Sequence, residues 1–164
     1  MIAKKEILFG GLMVLILVFS FYTWYQDKEK FAPGADIRNF KTQGELDRYY
    51  KNLEKAYKND TFGGATPEET LQLFIDALKA GDTELAAKYF IPEKQMEEKG
   101  KLDVSKNQGF IEKYIEILGG DKKVSKFPDG KTYEISFFDK IGNQIHVERL
   151  ILNNFTKVWK IESL

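Results

Sequence analysis

The chain has 164 residues, in which 25 lysines and arginines balance 25 aspartates and glutamates, and it contains no cysteine. Zero net charge supplies no long-range field to gather nucleic acid or acidic substrates, so no nucleic-acid partner is expected. A lone histidine and no cysteine argue against a zinc site and a disulfide framework, and no phosphate-cradling glycine motif or nucleophile elbow occurs, so no metal or cofactor is expected.

The first element is an uncharged, mostly apolar run from Ile7 to Tyr25, nineteen residues long. As a helix it would reach about 28 Å, close to the hydrocarbon thickness of a bilayer. It is longer than the apolar core of a secretory signal, and Phe21-Tyr22-Thr23-Trp24-Tyr25 offers no small-residue cleavage site. Those rings suit the headgroup layer instead. The run reads as an uncleaved single-pass signal anchor whose partner is the lipid bilayer; a cleaved signal and a buried core helix are the alternatives. Lys4 and Lys5 place the short tail in the cytoplasm and the remainder of the chain in an extracytoplasmic space.

The organisation that follows is a tail and membrane helix over 1–26, a spacer over 27–43, an amphipathic juxtamembrane helix over 44–60 and a domain over 61–164. Ala32-Pro33-Gly34-Ala35 breaks any continuous helix. Leu46, Tyr49, Tyr50, Leu53 and Tyr57 then recur at helical spacing, with Asp47/Lys51 and Glu54/Lys58 as supporting pairs. That helix either packs on the domain or presents its tyrosines to a partner.

The domain opens on Thr66-Pro67-Glu68-Glu69, a helix-start signal, ahead of the stripe Leu71, Phe74, Ile75 and Leu78. Gly81 stops this helix and Asp82 caps a shorter one carrying Leu85, Ala86, Tyr89 and Phe90. The stretch from Glu93 to Asp103 is polar and reads as irregular or a brief helical turn. Ser105 with Gln108 resembles a capping box before Phe110, Ile111, Tyr114, Ile115 and Leu118, and Gly119-Gly120 ends that third helix.

Beyond Gly120 the period becomes two. Phe127-Pro128-Asp129-Gly130 is a turn, and Tyr133, Ile135 and Phe137 alternate with polar residues. Ile145 and Val147 alternate with Gln144, His146 and Glu148, which puts the apolar pair inward and His146 on the opposite face. Asn153-Asn154 suits a two-residue hairpin turn, and the last strand places Phe155, Trp159 and Ile161 on one face. Helices followed by an antiparallel meander make an α+β fold.

The stretch Thr66 to Phe90, with its capped helix, Gly81-Asp82 break and second helix, and the ending Val158-Trp159-Lys160-Ile161 through Leu164 resemble the nuclear transport factor 2-like superfamily, closest to its bacterial extracytoplasmic branch. The likeness spans residues 66–164. It implies a cystatin-like cone, in which three helices and a curved sheet enclose an apolar pocket. That architecture hosts isomerases, dehydratases, binders and structural domains, so it does not by itself give an activity.

Pocket candidates are Tyr89, Tyr114, Tyr133, Phe137, Arg149 and Trp159, the tyrosines reading equally as core residues. Asp139, at a strand end, suits turn duty. Strict alternation turns Arg149 inward as an anion anchor, whereas a bulge before the apolar Leu150-Ile151-Leu152 would turn it outward. With no catalytic constellation evident, the expected function is a membrane-anchored, extracytoplasmic, non-catalytic domain that binds a small apolar ligand or an envelope protein. A scaffold subunit resembling type IV secretion inner-membrane components is the alternative, and a small-molecule isomerase or dehydratase a third.

Overall fold

A computed structural model describes residues 3–163, with the side chains of residues 3–13 and 15 outside the described set. The chain divides between Asn52 and Leu53 into two compact units. Among the described residues, six α-helices and a four-stranded antiparallel sheet make an α+β fold.

In the first unit, α1 runs Ala3–Lys30. The segment from Ile7 to Met13 and Leu15 has no described side chains, and among the described residues no helix is long and apolar enough to cross a membrane. After α1 the spacer carries packed aromatic side chains. Phe31 is buried, its ring 5.6 Å from Phe40, which in turn lies 5.4 Å from Tyr49. Arg48 holds its guanidinium over Phe31 and Asn52 donates to the Phe31 carbonyl at 3.1 Å. A 3-10 turn at Ile37–Asn39, capped by Asp36, sits between α1 and α2 (Gln43–Asn59). Three aromatic residues, too widely spaced to register as a pattern, thus close an elbow.

The second unit begins within α2. Its first full helix, α3 (Pro67–Lys79), starts as the sequence predicts, with the Thr66 hydroxyl accepting from Glu69 N, and buries Leu71, Phe74, Ile75 and Leu78. Gly81 takes a left-handed φ of 68°, and Asp82 caps the short α4 (Thr83–Ala87). The polar stretch that follows is a correction. It forms α5 (Gln95–Asn107), because Lys94/Glu97, Lys99/Asp103 and Lys101/Glu97 pairs support its outer face while Glu98 and Leu102 are buried. Ser105 lies inside this helix, and Gly109 with φ 73° ends it before α6 (Ile111–Gly119).

Strands β1 (Asp121–Lys126), β2 (Thr132–Phe138), β3 (Gln144–Leu152) and β4 (Trp159–Ile161) pair in sequence order. Asp129 shapes the first turn by accepting from Lys131 N and Thr132 N, and Asp139 the second by accepting from Ile141 N and Asn143 N. The third connection is longer than the expected two-residue turn. Asn153 is buried, its amide donating to the Tyr57 carbonyl of α2, while Lys157 takes the positive φ of 64° and Phe155 lies exposed outside β4. Between helices and sheet, Phe74, Phe90, Leu118, Ile135, Phe137, Leu150 and Ile161 lose all exposure.

Gly63 and Gly64 do more than end a helix. A Cβ on Gly63 would meet the Trp159 carbonyl oxygen at 2.3 Å, and Gly64 O accepts from Trp159 N at 3.0 Å. The Thr70 hydroxyl joins the same point, accepting from Gly64 N and donating to Trp159 O. The glycines let the chain lie directly against β4.

Candidate functional site

The phase of β3 decides which groups face the helices. Opposite β2, Phe137 pairs with His146 and Phe138 with Gln144, so Ile145 is an extra residue in β3. From that irregularity onward the even positions share the face of Ile135 and Phe137: His146, Glu148 and Leu150 turn inward. Ile145 and Val147, expected inward, are exposed. His146 turning inward therefore corrects the expected outer-face placement, and Arg149 turns outward, as one of its two alternatives had it. A bulge exists as one alternative required, but it lies upstream of where the apolar run pointed.

Glu148 has no exposure, yet it is a carboxylate in an apolar core. Tyr114 of α6 donates its hydroxyl to Oε1 at 2.5 Å, and His146 Nε2 meets the same oxygen at 2.6 Å. The Tyr114 ring stands edge-on to His146 at 5.5 Å, and the Phe137 ring is tilted against the imidazole at 5.8 Å. Burial first, then the Glu148 charge, pushes the Tyr114 phenol well above 10.0, with Glu98 adding to the rise. Tyr114 is thus a neutral hydrogen-bond donor. Glu98 of α5 is also wholly buried, held through Oε1 by Lys101 at 2.9 Å. Glu98 Oε2 and Glu148 Oε2 are buried without a hydrogen-bond partner. Removing one donor from a buried carboxylate costs about 1.5–3 kcal/mol. Urea unfolding of Tyr114→Phe should show a loss of that order; an unchanged midpoint would mean that water reaches Glu148.

A second buried charge sits at β4. Lys160 has no exposure and its Nζ contacts Asp60 Oδ2 at 2.7 Å and the carbonyls of Phe62 and Lys88 at 2.8 and 2.5 Å. Asp60 and Phe62 lie just after α2 and Lys88 is the C-cap of α4, so these contacts tie the strand to both places.

No family model, curated protein or solved structure matches the chain. Its chemistry must be read from its own side chains.

The predicted pocket residues are divided between the core and the surface. Tyr89 and Phe137 are buried in the core, and Trp159 is buried with Tyr133 edge-on to it at 4.8 Å. Arg149 points outward, bonded to Glu134 at 2.8 Å and to Glu162 at 3.4 Å. Of the six, only Tyr114 joins the polar cluster. An open groove of about 510 Å3 lies elsewhere, bordered by Lys113, Ile117, Phe138, Asp139 and Ile145. Sequence reasoning missed Glu148, Glu98 and Lys160 because alternation and helical stripes identify apolar faces, and a buried charge breaks that rule. Among the described residues no group of three or more histidine, aspartate or glutamate side chains is placed to hold a metal.

Proposed function

We propose that the chain is a membrane-anchored, extracytoplasmic interaction domain of the nuclear transport factor 2-like type, non-catalytic and directed at a protein rather than at a small apolar ligand. The observation that carries this choice is the fate of the ligand-pocket residues. Tyr89, Tyr133, Phe137 and Trp159 fill space against one another and the core, and Arg149 is engaged by two surface glutamates. Side chains already packed and paired are not free to line a pocket for an apolar guest.

The anchor is supported by α1. Its described apolar residues Val14, Ile16 to Phe19, Phe21, Tyr22, Trp24 and Tyr25 are 47–69% exposed. A helix apolar on all sides needs an apolar surrounding, and lipid supplies one. Trp24 and Phe21 lie 5.7 Å apart, with Lys28 over the Trp24 ring, a pairing suited to the headgroup boundary.

Native mass spectrometry of the detergent-extracted full chain tests both parts. The expected result is retention in alkaline-washed membranes and a spectrum of bare chain or chain with a protein subunit. A stoichiometric small-molecule adduct, or release by the alkaline wash, would overturn it.

One observation favours a second reading, an enzyme. Glu148 meets His146 Nε2 at 2.6 Å and accepts from the Tyr114 hydroxyl through the same oxygen, which brings together three residue types used in general acid–base catalysis. A reaction dependent on His146 would show as activity lost in His146→Gln with the fold intact.

A further inference from the structure

We propose that β1 is a docking edge for an extended acidic segment of a partner protein, which adds a strand to the sheet with an acidic–x–apolar–x–acidic pattern. This rests on the interaction reading above and names its surface and the partner's chemistry.

The two edges of the sheet are treated differently by the fold. At β4 the chain itself occupies the edge: Trp159 N donates to Gly64 O at 3.0 Å, Ile161 N to Tyr89 O at 2.9 Å, and Ile91 N to Ile161 O at 2.9 Å. Phe90 even forms a parallel bridge with Ile161. At β1 nothing comparable occurs. All six residues are exposed, and among the described residues the strand's only ladder is with β2. In an antiparallel pair every second residue turns its N–H and C=O away from the neighbour, so β1 presents a row of unpaired donors and acceptors. Six residues at roughly 3.4 Å each give an edge of about 20 Å, enough to seat a strand.

Register supplies the side-chain pattern. Lys122, Val124 and Lys126 pair with Phe137, Ile135 and Tyr133, so these three share the inner face. Lys123 pairs with Ser136 on the outer face. An added strand would therefore meet ammonium, isopropyl and ammonium groups at alternate positions on one side. Val124 is 38% exposed and is the apolar floor between the two cations. Lys126 lies over the Tyr133 ring at 5.7 Å, which holds one cation toward that face. Opposite charges directly across a pair of strands stabilise it and like charges oppose it.

The same charges select against a second copy. Two β1 strands meeting edge to edge would gather Lys122, Lys123 and Lys126 of both copies along one seam, with Asp121 the one acid of each strand in return. Lysines at an edge repel identical chains, and a carboxylate-bearing strand turns that repulsion into attraction.

The test uses the full chain in detergent micelles and a synthetic peptide Thr-Glu-Thr-Val-Thr-Glu-Thr, whose pattern is the same in either strand direction. The control carries lysine in place of glutamate. Amide hydrogen exchange within residues 122–126 should slow about tenfold with the acidic peptide and be unaltered with the control. The combined Lys122→Glu, Lys123→Glu and Lys126→Glu variant should reverse that preference, its exposed positions leaving the fold unchanged by circular dichroism. Protection by neither peptide, protection by both, or slow exchange without peptide because two copies pair would each overturn the proposal. Native mass spectrometry reports separately on the interaction reading: a protein subunit bound while β1 exchanges freely removes this edge alone, whereas a small-molecule adduct removes the broader reading.

Discussion

Asp60→Ala is expected to destabilise the chain by about 3–5 kcal/mol, because it leaves a buried ammonium without its counter-charge. Asp60 and Lys160 are both buried and meet at 2.7 Å, and the Phe62 and Lys88 carbonyls cannot replace a carboxylate's charge. Urea unfolding of the full chain in micelles, followed by tryptophan fluorescence, measures the loss. Adding Lys160→Met should recover part of it, since the isolated charge is then gone, so the two changes together cost less than their sum. A single-variant loss below about 1 kcal/mol would mean that the Lys160 ammonium reaches solvent. The pair also fixes a pH dependence. Burial is the largest influence on Lys160, ahead of the Asp60 hydrogen bond and charge, and it holds the ammonium below 10.5. Between that lowered value and 10.5 the unfolded chain binds more protons than the folded one, so stability rises with pH through the window. Below the window both states keep the proton and the burial penalty is complete. Relative to Lys160→Met, the wild-type chain should therefore gain stability as pH climbs toward 10.5.

Where the sequence was legible, a local rule and the tertiary environment agreed. The Thr66 cap, the Gly81-Asp82 break, the turn at Phe127 to Gly130 and the stripe of α3 each depend on residues within a few positions of one another. All four stand in the structure as the pattern implies. The α+β order followed from them. Beyond the local range the reading failed for physical reasons. The inward face of β3 was assigned by hydrophobicity, but Ile145 is an extra residue, and Glu148 is kept in the core by donors from α6 and from its own strand. A partner 34 positions away leaves no trace in periodicity. The same holds for Asn153, which shapes its turn by accepting from Phe155 N and, beyond what the pattern implies, ties the loop to Tyr57. In α5, apolar residues are too few for a stripe, and ion pairs along its surface supply what the pattern lacked. The candidate site was legible only in part: Tyr114 was named, but its acceptor was not.

Phe74→Ala should cost about 3–5 kcal/mol, whereas Phe110→Ala should change stability by no more than about 0.5 kcal/mol. Both belong to apolar stripes in the sequence, yet Phe74 has no exposure and Phe110 is 58% exposed. The difference comes from the helix boundary. Gly109 turns the chain through a left-handed φ, which leaves Phe110 as the residue before α6 and directs the packed face to Ile111, Tyr114 and Leu118. If the Ser105 capping box governed instead, Phe110 would lie mid-helix and its truncation would match that of a core residue. Phe74 also supports the polar cluster, since its ring stands edge-on to Phe90 at 5.3 Å and to Tyr114 at 6.1 Å. A cavity at Phe74 lets the Tyr114 ring tilt and weakens its hold on Glu148. Phe74→Ala and Tyr114→Phe together should thus cost less than the sum of the two, a coupling that urea unfolding of the four chains would resolve. Strict additivity would mean that the hydroxyl is positioned by α6 alone, and that the apolar core beneath it leaves Glu148 unaffected.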